Sequence, residues 1–139
     1  MTTAPPPPPA RIRHGIDLVH VSRLREVMEG SPVFEERVFT AGERAYCRAR
    51  PDPFPHFAAR FAAKEAVLKA FGRGLSTEGP DGWLLDLEVV RRHGAPTLVG
   101  HGAAGRRLRR AAGSPPVLSL SHAGDYAIAS VVWTEETPR

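Results

Sequence analysis

Apolar residues recur along the chain with two periods, and the switches between them mark the elements. Alternation runs through IRHGIDLVHV, residues 12–21, with Ile16 and Leu18 on one side and Asp17, Val19 and Val21 on the other. That pattern predicts a first strand with buried flanks to Asp17. RLREVMEG then sets Leu24, Val27 and Met28 at helical spacing, with Ser22 as the expected cap. A second helical stretch is read at PVFEERVF. A third opens at TAGE, residues 40–43, where Thr40 and Glu43 fit a capping box, and PDPFP stops it.

Pro55 suits the first turn of the next helix, which contains RFAAKEAVLKAFGRG (60–74) and ends at Gly72 or Gly74. GWLLDLEVV reads as a strand carrying Trp83, Leu85, Leu87 and Val89 on one side. RRHGAP turns it back into a short strand, TLVG. GAAGRRLRRAAG is helix-compatible, and VLSLSH with YAIASVVW predicts a hairpin around AGD. Helices and hairpin-linked strands in separate blocks give an α+β class, a mainly antiparallel sheet against a long central helix. The expected organisation is a disordered proline-rich tail, residues 1–11, and one folded domain, residues 12–135.

The central helix breaks its own pattern. On a wheel, Phe57, Phe61, Val67, Leu68 and Phe71 gather into an apolar arc, yet Arg60 and Lys64 fall inside it. Glu65 sits at the edge of that arc and Lys69 one turn on. The opposite face is alanine (58, 59, 62, 63, 66 and 70), which lets another element approach closely. One reading makes Glu65 and Lys69 a surface pair, with Arg60 and Lys64 reaching out to water. The other joins the helix to Asp17, a carboxylate in an apolar strand where such residues are disfavoured. Two carboxylates from different elements can hold Mg²⁺ whose remaining ligands are waters and phosphate oxygens. Arg60, Lys64 and Lys69 would then neutralise phosphate charge. This is a site for phosphoryl-type chemistry, with no substrate named.

Composition narrows the picture a little. Nineteen Lys and Arg against fifteen Asp and Glu, a formal charge of +4, favour an anionic partner: nucleic acid, a phosphorylated small molecule or an acidic protein. Cys47 is the only cysteine, which excludes an intramolecular disulfide framework and a thiolate zinc cluster. It reads as a structural thiol. No apolar run approaches the ~20 residues of a membrane helix, and the N-terminus lacks signal-peptide organisation. The expected location is the cytoplasm.

Five stretches stand in one order: GIDLVHVSRL (15–24), RFAAKEAVLKAFGRG (60–74), WLLDLEV (83–89), GAPTL (94–98) and LSLSHAGDYAIASV (118–131). In this the chain resembles the holo-acyl-carrier-protein synthases, the small bacterial phosphopantetheinyl transferases. The F-x-x-KEA-x-x-KA-x-G block is the most specific part. The resemblance implies Mg²⁺-dependent transfer of phosphopantetheine from coenzyme A to a serine of an apo acyl carrier protein, of fatty-acid or polyketide type. Adenosine 3′,5′-bisphosphate would leave. It also implies a homotrimer with active sites between subunits.

By the same resemblance Asp17 and Glu65 are metal ligands, and Lys64 and Lys69 hold pyrophosphate oxygens. Glu65, directly or through a metal-bound water, is the expected base, with a water held by Asp17 as the alternative. Arg60 and His122 fall at the nucleotide end of coenzyme A. Ser119 and Ser121 precede His122 on its strand, and alternation lets only one face reach ligand, with Ser119 the chosen serine. Arg23 matches the arginine that meets the acidic helix of the carrier protein, and Arg37 is a second candidate there. The chain departs from the family in its proline tail, in ARPDPFPH and in the longer RGLSTEGPDG. Two rival readings remain: a nucleic-acid module using Arg91, Arg92 and GRRLRRAAG (105–113), and an inactive scaffold that only binds a carrier protein.

Overall fold

The expected alternation materialises as β1 (Arg11–His20), one residue ahead of the predicted stretch, but its two faces meet different fates. Gly15 and Val19 are buried, whereas Ile16 and Leu18, the neighbours of Asp17, are 49% and 59% exposed. The computed structural model describes residues 2–72, 83–91 and 93–135. The glycine-rich stretch 73–82, including the alternative helix stop at Gly74, lies outside them, as does Arg92.

Because β1 ends at His20, α1 (Val21–Gly30) begins two residues earlier than the sequence suggested, and the cap changes with it. The His20 side chain, not Ser22, accepts the Arg23 N–H, at 3.3 Å. Ser22 lies within the first turn and its hydroxyl donates to the Asp125 carboxylate at 2.7 Å. α2 (Pro32–Val38) starts with proline, which lacks the N–H that a first turn leaves unbonded. α3 (Ala41–Arg48) opens with both halves of the capping box, Glu43 N–H to Thr40 Oγ1 at 3.2 Å and Thr40 N–H to Glu43 Oε1 at 3.0 Å. α4 (Phe54–Ala70) carries Pro55 in its first turn and is followed by Gly72 at φ 78°, a left-handed conformation that favours glycine.

The strand read at Trp83 is shorter than expected. Trp83–Asp86 forms a helical turn, α5, and only β2 (Leu87–Arg91) is extended. Tertiary capture of the turn explains this. The Leu84 carbonyl accepts Lys64 Nζ at 2.6 Å, the Asp86 carbonyl accepts His101 N–H at 2.7 Å, and the Asp86 carboxylate accepts Ala104 N–H. Leu87 and Val89 still enter the core. β2 pairs antiparallel with β3 (Pro96–Gly100), α6 (Gly102–Ala111) follows, and β4 (Val117–Ala123) and β5 (Tyr126–Glu135) form the hairpin.

The main sheet has the order β1-β5-β4, antiparallel throughout. Its register aligns three inward rows: Gly15–Val131–Leu118, Asp17–Ala129–Leu120 and Val19–Ala127–His122. α4 lies across that face on its alanines, all of them buried. The approach is closest at Gly15, where an added Cβ would fall 1.8 Å from the Ala66 carbonyl oxygen. Glycine is therefore required there, and its absence of side chain brings Asp17, two residues on, against the helix. On the other side of α4, Phe57 and Val67 are fully buried, each stabilising the fold by about 2 kcal/mol.

Candidate active site

Asp17 projects inward from β1 and meets the C-terminal half of α4. Lys69 Nζ lies 2.7 Å from Asp17 Oδ1 and 3.2 Å from the Ile16 carbonyl oxygen. Glu65, one helical turn before Lys69, is 2% exposed, and its Oε1 has no hydrogen-bond partner. Burial, and then the negative charge of Asp17, push the Glu65 carboxyl up to about 7, against the opposing pull of Lys69. Two hard oxygen donors thus converge from separate elements beside one ammonium. The Glu65–Lys69 surface pair does not form; Lys69 takes Asp17 instead.

This donor set fits Mg²⁺. Carboxylate oxygens suit a hard dication, and the unbonded Oε1 of Glu65 is a buried acceptor awaiting a partner. Among the described residues no group of three His, Cys, Asp or Glu side chains gathers into a closed metal cage. Two protein ligands leave most coordination positions to water and substrate.

Lys64 goes elsewhere. It is fully buried, and its ammonium donates to Glu43 Oε1 and to the Leu84 carbonyl, both at 2.6 Å. Glu43 Oε2 accepts Val89 N–H at 3.0 Å, which ties α3, α4, α5 and β2 together. Burial pulls the Lys64 pKa down while Glu43 holds it up. Lys64 therefore neither reaches water nor lies beside the carboxylate pair. Five residues of helix turn it ~140° away from Lys69.

Arg60 is 3% exposed, with its guanidinium carbon 4.1 Å from the centre of the Tyr46 ring. One of its terminal nitrogens donates weakly to the His56 carbonyl at 3.4 Å, and its Nε has no partner. His122 shares the inward sheet face and stands 6.2 Å, ring to ring, from His56. Arg60 precedes Glu65 by five residues, about 7.5 Å along the helix axis, so the cationic positions string out along α4. Ser119 and Ser121 lie on the outer sheet face, away from His122 and level with Ser130 and Ile128 of β5. Arg23 and Arg37 are exposed on α1 and α2, and neither forms an ion pair among the described residues. The basic stripe on α6 is exposed, with Arg107 over Phe71 and Trp83 and Arg109 donating to the Gly100 carbonyl.

Two residues of this region escaped the sequence reading. The capping box accounts for Glu43 locally, but a buried lysine demands an acid and Glu43 is the acid it finds. Tyr46, whose ring lies under Arg50 and Arg60, has no local signal beside Cys47, a fully buried thiol whose pKa burial pushes up to about 11.

The model of the 4′-phosphopantetheinyl transferase superfamily matches residues 13–131. The chain belongs to that superfamily. The holo-[acyl-carrier-protein] synthase of Syntrophotalea carbinolica is 48% identical over 86% of this chain and 92% of its own length. That of Anaeromyxobacter dehalogenans is 44% identical over 85% and 91%. Among solved structures, the complex of Chronobacterium ammoniagenes ACPS with coenzyme A superposes with a TM-score of 0.77 at 30% identity, covering 91% of this chain and 99% of that one. The Bacillus anthracis holo-(acyl-carrier-protein) synthase in complex with coenzyme A (3′,5′-ADP) gives 0.71 at 29%, covering 92% and 100%. The superfamily places the chain among phosphopantetheinyl transferases of the holo-acyl-carrier-protein synthase type, with an α+β fold.

Proposed function

We propose that the chain transfers phosphopantetheine from coenzyme A to the serine hydroxyl of an apo acyl carrier protein, with Mg²⁺, releasing adenosine 3′,5′-bisphosphate. The observation that carries this reading is the convergence of Asp17, Glu65 and Lys69 at the closest contact between β1 and α4. Asp17 and Glu65 would hold the ion, which when bound draws charge from the pyrophosphate.

The chain's own groups do the rest. Lys69, half-exposed, turns from Asp17 toward a pyrophosphate oxygen and supplies positive charge as the leaving phosphate forms. Glu65, directly or through a water held beside it, is the candidate acceptor of the serine proton, and a water held by Asp17 is the alternative. Arg60 forks onto the 3′-phosphate of the nucleotide, with His122 beside it. Lys64 acts as an internal strut through Glu43. Arg23 and Arg37 offer exposed cations to an acidic carrier-protein helix.

The outer sheet face supports a homotrimer. Ile12, Ile16, Leu18, Val117 and Val132 are exposed there together, an apolar surface that a neighbouring subunit would cover, with Ser119 among them. No helix among the described residues is long and apolar enough to cross a membrane, and a cytoplasmic location goes with the substrates proposed.

The test is an intact-mass measurement on an apo acyl carrier protein incubated with the chain, coenzyme A and Mg²⁺. One phosphopantetheine should be added per carrier, and EDTA should stop it. A carrier left unmodified across fatty-acid and polyketide types would overturn the proposal.

A further inference from the structure

Where the end of α3, the start of α4 and β4 meet, Arg50, His56 and Arg60 collect around the ring of Tyr46, and His122 stands beside His56. The guanidinium carbons of Arg50 and Arg60 lie 4.2 Å and 4.1 Å from the centre of that one ring. The His56 ring is 6.0 Å from Tyr46 and 6.2 Å from His122, edge-on to both. No carboxylate pairs with any of the four among the described residues, whose ion pairs all lie elsewhere. Arg60 sharpens the point, because it is 3% exposed and its Nε is unbonded. A buried guanidinium without a counter-charge is costly, and an anion placed here would remove that cost.

We propose that His56 is a ligand of the terminal 3′-phosphate of coenzyme A, joining Arg60 and His122, and so sets this chain's preference for coenzyme A over its 3′-dephospho form. The inference rests on the function proposed above. His56 has no ligand-like spacing in the sequence, whereas its place between Tyr46 and His122 puts it within the cationic cluster. Burial first, then the charges of Arg60, His122, Arg50 and Arg91, hold the free imidazole below its ordinary pKa. A phosphate dianion among these groups reverses the sign of the local field and favours imidazolium. Bound phosphate therefore recruits a proton onto His56, and affinity for coenzyme A falls as pH rises.

The experiment compares steady-state transfer from coenzyme A and from 3′-dephospho-coenzyme A, at pH 6 to 8, in the wild type, His56→Ala and His56→Arg. Expected for His56→Ala is a KM for coenzyme A about tenfold higher at pH 6.5, an unchanged KM for the dephospho form, kcat within twofold, and a flattened pH dependence. His56→Arg should restore the preference with a weaker pH dependence than the wild type, which a role as mere spacer between rings would not produce. Should His56→Ala fail to fold, His56→Gln takes its place. Equal changes for both substrates, or an undiminished preference in His56→Ala, overturn the role of His56 while leaving the transfer reaction standing. A wild type that uses neither substrate overturns both.

Discussion

Two lysine–carboxylate pairs hang from α4, five residues apart, and they are built to opposite specifications. Lys64 and Glu43 are both fully buried and 2.6 Å apart, and the oxygens of Glu43 also take the Thr40 and Val89 amides. Lys69 and Asp17 are 2.7 Å apart with side chains 47% and 15% exposed, and next to them Glu65 keeps an unbonded buried oxygen. The first arrangement closes on itself. The second leaves one acceptor empty, one carboxyl raised to about 7 and one cation within reach of solvent. Folded proteins satisfy their buried polar groups almost without exception, so an unsatisfied one beside an accessible charge points to a ligand. Within a single helix the same residue types hold the fold in one place and prepare chemistry in the other.

Breaking the open arrangement should show the largest effect. Asp17→Asn or Glu65→Gln should lower transfer to an apo carrier by at least ~10³-fold while leaving circular dichroism unchanged. Lys64→Met should do the converse. It strands the Glu43 carboxylate, and urea unfolding should show a loss of about 3–5 kcal/mol, with transfer retained in the fraction that stays folded. Gly15→Ala tests the contact on which the open site depends: a Cβ against the Ala66 carbonyl forces β1 and α4 apart. Activity should drop about a hundredfold although Asp17, Glu65 and Lys69 are all present.

The smallest effect separates the pairs most finely. The Glu65 pKa is raised in the fold from 4.5 to about 7, so the folded state prefers the protonated carboxyl. Its stabilising contribution is whole below pH 4.5 and is lost as pH rises to about 7. Glu65→Gln, which removes that titration, should therefore raise the metal-free protein's Tm at pH 8 and make little difference at pH 4.5. The gain should be on the order of 3 kcal/mol at most, read by calorimetry with EDTA present. A stabilisation of equal size at both pH values would contradict the origin assigned to the shift.

The open site was legible in the sequence because its residues violate their own elements. Asp17 interrupts an apolar strand and Glu65 an apolar and alanine helix, and each violation needs only local pattern to be seen. The capping box at Thr40 and the hairpin around Gly124 are local for the same reason. What stayed hidden depends on distant partners. Nothing near Lys64 announces Glu43, twenty-one residues earlier, and the apolar run at Trp83 gives no hint that Lys64 and residues of α6 would fold it into a turn. The outer face of β1 misled for a related reason: Ile16 and Leu18 look like core residues and stand exposed on the outer sheet face of the chain.

Divalent-ion binding by the carboxylate pair is the claim beneath all of this, and it can be measured without turnover. Calorimetric titration of Mg²⁺ into the wild-type protein with coenzyme A present should show one ion per chain. The Asp17→Asn and Glu65→Gln variants should each bind at least about tenfold more weakly. Undiminished affinity in both variants would contradict the account.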